Sequence, residues 1–442
     1  MVDRVILPDV FYKYRRAGGR NLGNGTGRDK LARRRQLVAK VELLANLPRD
    51  IIGPIPFKKS VLADMWETVQ SVAILIAAVP TAVVSMLVRR LWSNQVDIPF
   101  KEDLRRSMIR RLSHLPLRII RQSVKLRDAR TLLALNRYRA SERQLCIGVS
   151  GEQFSGYWLC KGPPGKPQEP NESDIVLFWL HGGAYISGDP LGAASVLLRV
   201  AEIAASRGTS TSIFTLDYTL APEKKIPHQQ RQAVAAYRHL LEVERVDASN
   251  IIVAGESAGG HLALSFLVTL ADTTDLHKPA GGLLLFPWVN LANTSPSFIQ
   301  NKHKDILTKH LLDRCARAAV GNAAGNNDIT RFELVDLTKP RKNGQSWRQI
   351  MPAQTWINVG THDLFVQEIQ SFVELARADG ARVELELADG MQHGWQFSKD
   401  RHWERQYCAL DPADKVPSGM MPGSENIAEG LLMVARQCSL TL

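Results

Sequence analysis

Ser257 sits in Gly255-Glu256-Ser257-Ala258-Gly259, between the apolar run "NIIVAG" and the helix-forming run "AGGHLALSFLVTLA". A hydroxyl lifted on a strand-to-helix turn and flanked by residues without bulk suits nucleophilic attack on an acyl carbon. The turn is too tight for large neighbours. The helix that begins at Ala258 aims its free amides and its positive end at the place where an oxyanion would form. The five-residue pattern alone is weak, because chance gives on the order of 0.1 matches in a chain this long. Its place between strand and helix makes it specific.

A serine needs a base, and the chain has 11 histidines. His393, in "GMQHGWQF", follows the last strand-like run. Asp363, in "NVGTHDLF", follows the preceding one. Both then lie at the sheet edge that carries Ser257, in the chain order expected for nucleophile, acid and base on such a sheet. Asp363 would hold the imidazole tautomer and stabilise the imidazolium. His261, His228 and His362 are rival bases, more simply read as structural histidines; Glu368 is the rival acid. The oxyanion needs main-chain donors, and "LHGGAYISGD" supplies a turn after an apolar strand. Gly182, Gly183 and Ala258 are the expected three donors. His181 is read as shaping that loop.

The elements that must position these residues are legible as two periods. From Leu145 onward, apolar runs alternate with helical stretches: "LCIGV", "GYWLC", "DIVLFWLHGG", "TSIFTLDY", "NIIVAG", "GGLLLFPWV", "AQTWINVGTHD" and "ARVELEL". Strands apolar throughout, separated by amphipathic helices, predict a mostly parallel sheet covered on both faces. Residues 290–350 interrupt the alternation with an irregular stretch, its one clear helix in "HKDILTKHLLDRCARAAVG". It is expected to contribute to the pocket wall.

The N-terminal third differs. Residues 1–143 hold 29 Lys and Arg against 12 Asp and Glu, and the remainder 27 against 32. No zinc-finger spacing or aromatic RNA-binding signature accompanies the basic residues, so no nucleic-acid partner is expected. Five scattered cysteines without a CxxC exclude a disulfide framework or a cysteine metal site, while one or two bridges stay open. Val69–Val88 is 20 residues without a charge, flanked by Lys58, Lys59 and Trp66 before and Arg89, Arg90 and Trp92 after. That is the length and flanking of a membrane span; a packed core helix is the alternative. Asn24, Asn171 and Asn293 each open an Asn-x-Ser/Thr sequon. The chain reads as a basic mobile tail (1–60), a membrane-associated helix (61–95), a basic amphipathic helical cap (96–143) and a catalytic domain (144–442).

Three motifs occur together: His181-Gly182-Gly183, Asp217-Tyr218-Thr219-Leu220-Ala221-Pro222-Glu223 and Gly255-Glu256-Ser257-Ala258-Gly259-Gly260. With them the chain resembles the hormone-sensitive-lipase family, which implies an α/β-hydrolase fold from about residue 144 onward. The resemblance implies that Asp217, Tyr218 and Glu223, with His181, brace the oxyanion loop and the elbow. Ala184 stands where many members have a third glycine, acceptable if its φ is negative. A membrane-anchor-like segment before "FKEDLRRSMIRRLSHLPL" further resembles the membrane-bound steryl-acetate deacetylases of fungi, which face the endoplasmic-reticulum lumen. The expectation is a serine esterase, needing no metal or cofactor, that cleaves a small apolar ester such as the acetyl ester of a sterol or terpenoid. An acyltransferase, an amidase or formamidase of the same fold, a non-catalytic ligand-binding homologue and a cytoplasmic location are the alternatives. The oligomeric state is left open.

Overall fold

The computed structural model describes residues 57–92, 98–124, 129–321 and 333–439. The tail expected over 1–60 lies almost entirely outside the described residues. The chain divides into Met1–Met65 and Trp66–Leu442. Of the first unit, the described part is the opening of a helix, Phe57–Trp92. The second unit holds everything that follows.

Its centre is an eight-stranded sheet: β1 (Ile147–Ser150), β2 (Ser155–Cys160), β3 (Ile175–Leu180), β4 (Thr211–Leu216), β5 (Ile251–Glu256), β6 (Gly281–Leu285), β7 (Gln354–Gly360) and β8 (Val383–Ala388). All eight apolar runs of the sequence are strands. The order is β1-β2-β4-β3-β5-β6-β7-β8. Only the β1/β2 and β2/β4 pairs are antiparallel. The six strands β3 to β8 run parallel.

The residue pattern explains this arrangement. β3, β4 and β7 are buried at every position, which only a sheet covered on both faces permits. β8 reads VELELA and is buried only at Val383, its other positions being half-buried or exposed, as suits an edge strand; its Glu384 and Glu386 discourage further pairing. Two groups of helices provide the cover. Ala194–Ser206, Trp395–Asp400 and Pro422–Ser439 pack on one another, as do His228–Glu242, Ala258–Thr273 and Trp347–Ile350. Trp158, Trp179, Phe178 and Phe214 fill the centre without exposure. All five cysteines are buried, and none forms a disulfide.

The order β4-β3-β5 places the reversal of winding between β3 and β5, and in open sheets of this kind ligands bind at the carboxyl ends of the strands beside that point. The loops after β3, β5, β7 and β8 all leave from that edge.

The helix Phe57–Trp92 contains a 21-residue segment, Ser71–Leu91, with mean hydropathy 2.4, long and apolar enough to cross a membrane. Its length of about 31 Å matches a hydrocarbon core of about 30 Å. Ile76 is 72% exposed, Val84 60% and Leu91 79%. The other face is buried at Ala78, Ala82 and Met86, so the helix packs on one side and is open on the other. The segment ends in Arg89 and Arg90, which both pair with Asp103, a fully buried carboxylate on the helix Phe100–Leu112.

The stretch expected as one cap attaches at two separate places. Phe100–Leu112 is bonded to the loops at 304–305 and 390. Ala129–Leu133 and Asn136–Arg139 pack on Glu404–Ala409 instead. In the irregular interlude the helix begins at Lys309, capped by Thr308, whose hydroxyl accepts from the Leu311 amide. His303 to Leu307, expected as helix, are drawn into loop contacts.

Candidate active site

Ser257 follows β5 directly and has φ 52°, ψ −117°. A non-glycine residue in this region is strained, and the surrounding bonds hold it there. Its amide donates to the Leu285 carbonyl at 2.9 Å, and its carbonyl accepts from His261 at 3.1 Å and Trp288 at 3.0 Å. The flanking glycines are steric necessities. A Cβ on Gly255 would lie 2.5 Å from the Gly259 carbonyl oxygen, and one on Gly259 would lie 2.0 Å from the Leu180 carbonyl oxygen.

Ser257, His393 and Asp363 converge. Ser257 Oγ is 3.0 Å from His393 Nε2, and His393 Nδ1 is 2.9 Å from Asp363 Oδ2. With Asp363 fully buried, Nδ1–H donates to the carboxylate and Nε2 is left to accept the serine proton. The other carboxylate oxygen, Oδ1, accepts from the Phe365 amide at 2.8 Å. Phe286 and Phe365 present their rings edge-on to the imidazole at 4.6 and 5.1 Å. Burial pushes the His393 imidazole down, but the Asp363 charge and hydrogen bond, with Asp305 and Glu256 behind them, hold it above its ordinary value.

The loop after β3 corrects one expectation. The Gly182 amide donates to Glu256 Oε1 at 3.3 Å and is engaged there. Burial raises the Glu256 carboxyl, which the Gly182 bond and the His393 charge partly oppose. Among the described residues no acceptor engages the amides of Gly183 and Ala184. The Ala258 amide, at the first position of its helix, lacks a helical partner by construction. The free donors are therefore Gly183, Ala184 and Ala258, displaced by one residue from the expected set. The expectation of a negative φ at Ala184 also fails: its φ is 54°, and that of Tyr185 is 64°. Each such residue costs roughly 1–2 kcal/mol. The loop is tied down by Ser187 and Ile186 amides on the Gly183 carbonyl and by the Ala221 amide on the Tyr185 carbonyl.

The supporting residues divide. The Tyr218 hydroxyl donates to the His181 carbonyl at 2.9 Å, and the two rings stack at 4.2 Å. Burial pushes His181 down to about 4, so it stays neutral and shapes the loop. The Asp217 amide donates to the Ser155 carbonyl at the start of β2. Glu223 lies exposed and binds Arg121.

The rival residues have structural partners. His261 Nδ1 meets the Tyr185 hydroxyl at 2.6 Å and its Nε2 meets the Leu334 carbonyl at 2.7 Å; burial lowers it to about 4. His362 lies 3.2 Å from Arg106 Nη1. His228 opens the helix His228–Glu242, and burial with Lys224 and Arg231 lowers it. Glu368 accepts from the Thr294 and Ser295 amides, and burial raises it to about 7.

Sequence reasoning missed Asp305. It lies in the interlude, fully buried, and bonds to the backbone of both loops that carry Asp363 and His393. No periodicity or motif surrounds it. The one available signal was a lone carboxylate in a short apolar context, "KDIL".

Comparison with known proteins places the chain in a family. A family model described as alpha/beta hydrolase fold matches residues 177–397. The chain is 34% identical over 230 residues to an acetyl-hydrolase of Streptomyces hygroscopicus, covering 52% of this chain and 68% of that one. It is 28% identical over 211 residues to a putative steryl acetyl hydrolase, mug81, of Schizosaccharomyces pombe, covering 46% and 54%. The chain thus spans about half the length of some of the curated relatives it matches. A solved hormone-sensitive lipase from a metagenome library superposes with TM-score 0.56 at 21% identity, over 75% of this chain and 97% of that one. At that identity the likeness speaks for the fold. The sheet, the three motifs and the matched residues agree: the chain belongs to the α/β-hydrolase family, where its resemblance to the hormone-sensitive-lipase group had pointed.

Proposed function

We propose that this protein is a membrane-anchored serine ester hydrolase. The observation that carries the reading is the continuous chain from Ser257 Oγ through His393 to Asp363, at 3.0 and 2.9 Å, beside the unengaged amides of Gly183, Ala184 and Ala258. Ser257 Oγ attacks the ester carbonyl carbon while His393 Nε2 takes its proton. The carbonyl oxygen becomes an oxyanion that accepts from the three amides, each worth about 3 kcal/mol in such holes. The tetrahedral species collapses, and His393 returns the proton to the departing alcohol. Water then attacks the acyl-Ser257 ester with the same base, releasing the acid.

The names of the relatives support an acetyl group as the acyl part. The apolar helix Ser71–Leu91 supports a membrane setting and a bulky apolar alcohol such as a sterol or terpenoid. The exposed Asn171 sequon is compatible with a lumenal catalytic domain. The test compares wild-type and Ser257→Ala protein, in membranes or detergent, on p-nitrophenyl acetate and on an acetylated sterol. Ser257→Ala loses hydrolysis by about three orders of magnitude or more while folding normally. Near wild-type turnover by that variant removes the mechanism.

A further inference from the structure

We propose that Asp305 is a positioning residue of the Ser257–His393–Asp363 site: its carboxylate holds the two loops carrying the acid and the base in one frame, and the helix Phe100–Leu112 holds Asp305. The proposal rests on the ester-hydrolase reading above.

The two loops bond to each other near their roots, the His362 amide donating to the Met391 carbonyl at 2.9 Å and the Gly390 amide to Thr361 Oγ1 at 2.8 Å. They share a further partner in the segment 297–305, which reaches the residues on either side of Asp363 and the His393 amide itself. Asp305 Oδ1 accepts from the His393 amide at 3.0 Å, and Oδ2 accepts from the Leu364 amide at 2.7 Å. Oδ1 also accepts from its neighbour Ile306 at 2.6 Å. One turn earlier, Asn301 Nδ2 donates to the carbonyls of Thr361 and Asp363 at 3.0 and 2.8 Å, and the Ser297 hydroxyl donates to the Leu364 carbonyl at 2.5 Å. The backbone of the acid loop is thus gripped from one side at 361, 363 and 364, and that of the base loop at 393.

The grip is itself fixed. Arg110 Nη1 donates to the Asp305 carbonyl at 2.5 Å. Arg106, 4% exposed, donates to the Lys304 carbonyl at 2.6 Å and to the Gly390 carbonyl at 3.3 Å, and lies 3.2 Å from His362 Nδ1. One helix therefore touches three loops of the site. The same helix carries Asp103, which receives Arg89 and Arg90 from the end of the apolar helix.

Charge gives Asp305 a second effect. It and Asp363 both act on one imidazole, with Glu256 beyond, while Arg110 faces Asp305 and Arg401 acts on Glu256. Burial and the Asp363 charge raise the Asp305 carboxyl to about 6. Above that value a second negative charge favours the imidazolium that forms during attack.

The experiment uses full-length Asp305→Asn on p-nitrophenyl acetate, with kcat, KM and the pH profile recorded. Asparagine keeps the size and one acceptor but turns an NH2 toward a main-chain N–H. The expected result is a fall in kcat of about 10- to 100-fold with KM within about twofold. The low-pH limb of kcat/KM moves to lower pH, because one of the charges that raised His393 is gone. Asp305→Glu returns the limb toward wild type while kcat stays low, since its longer arm loses the bonds. If Asp305→Asn does not fold, Arg110→Gln is read in the same way and lowers kcat several-fold with KM unchanged. Wild-type kcat and an unmoved limb in these variants, or a loss confined to KM, overturn the proposal. Wild-type protein without ester hydrolysis, or Ser257→Ala as active as wild type, overturns the underlying reading instead.

Discussion

Gly259→Ala tests how closely the elbow and the oxyanion loop are set against each other. A methyl carbon there would lie 2.0 Å from the Leu180 carbonyl oxygen and 2.5 Å from that of His181. Both oxygens are main chain, at the end of β3, so no side chain can swing aside. Close C···O contacts settle at about 3.3–3.6 Å, so the two segments must part by about 1.3 Å. Ser257 and Ala258 travel with one segment, and Gly183 and Ala184 with the other. A displacement of that size between nucleophile and oxyanion donors costs about 100-fold in kcat. Overpacking of a close-set backbone adds a destabilisation of about 1–3 kcal/mol, which in a domain of this size lowers the melting midpoint by about 1–4 °C. The assay is p-nitrophenyl acetate turnover with thermal denaturation on the same preparation. Gly148→Ala is the matched control, because its methyl meets Tyr157 no nearer than 3.8 Å. Gly259→Ala protein with wild-type kcat and midpoint would show that the two segments are not set this close.

Further outcomes are expected for the base and for the membrane setting. His393 must be neutral to accept the serine proton, and its raised value means that activity falls as pH drops through a limb above the ordinary histidine range near 6.5. Asp363→Asn removes the main raising influence, so its residual activity shows a limb at lower pH; an unmoved limb contradicts the assignment. For the membrane setting, carbonate washing leaves the protein in the membrane fraction, and Asn171→Gln removes a glycan-dependent mobility shift whereas Asn293→Gln does not. Asn293 is fully buried, with Oδ1 accepting from Trp288 and Nδ2 donating to Asp313. Release by carbonate, or a shift that depends on Asn293, would count against this topology.

Much of the molecule is local in origin and therefore readable from the sequence. A parallel strand buried on both faces must be apolar throughout, so "IVLFW", "SIFTL" and "IIVAG" announce themselves. The elbow is local at Gly255, which answers the Gly259 main chain within the same turn, whereas Gly259 answers the main chain of Leu180 and His181 at the end of another strand. The order Ser257, Asp363, His393 then follows from strands that end at one edge. Tertiary structure decided what depends on partners distant in sequence. The Gly182 amide is taken by Glu256, 74 residues away, which moves the free donors to Gly183 and Ala184. Ala184 adopts φ 54° because contacts from Tyr218 and Ala221 hold its loop, against its own preference. Asp305 acquires its place only when an irregular segment meets two loops 59 and 88 residues further on. Such bonds go to main-chain groups, which every residue carries, and so leave no mark in the sequence by which they could be foreseen.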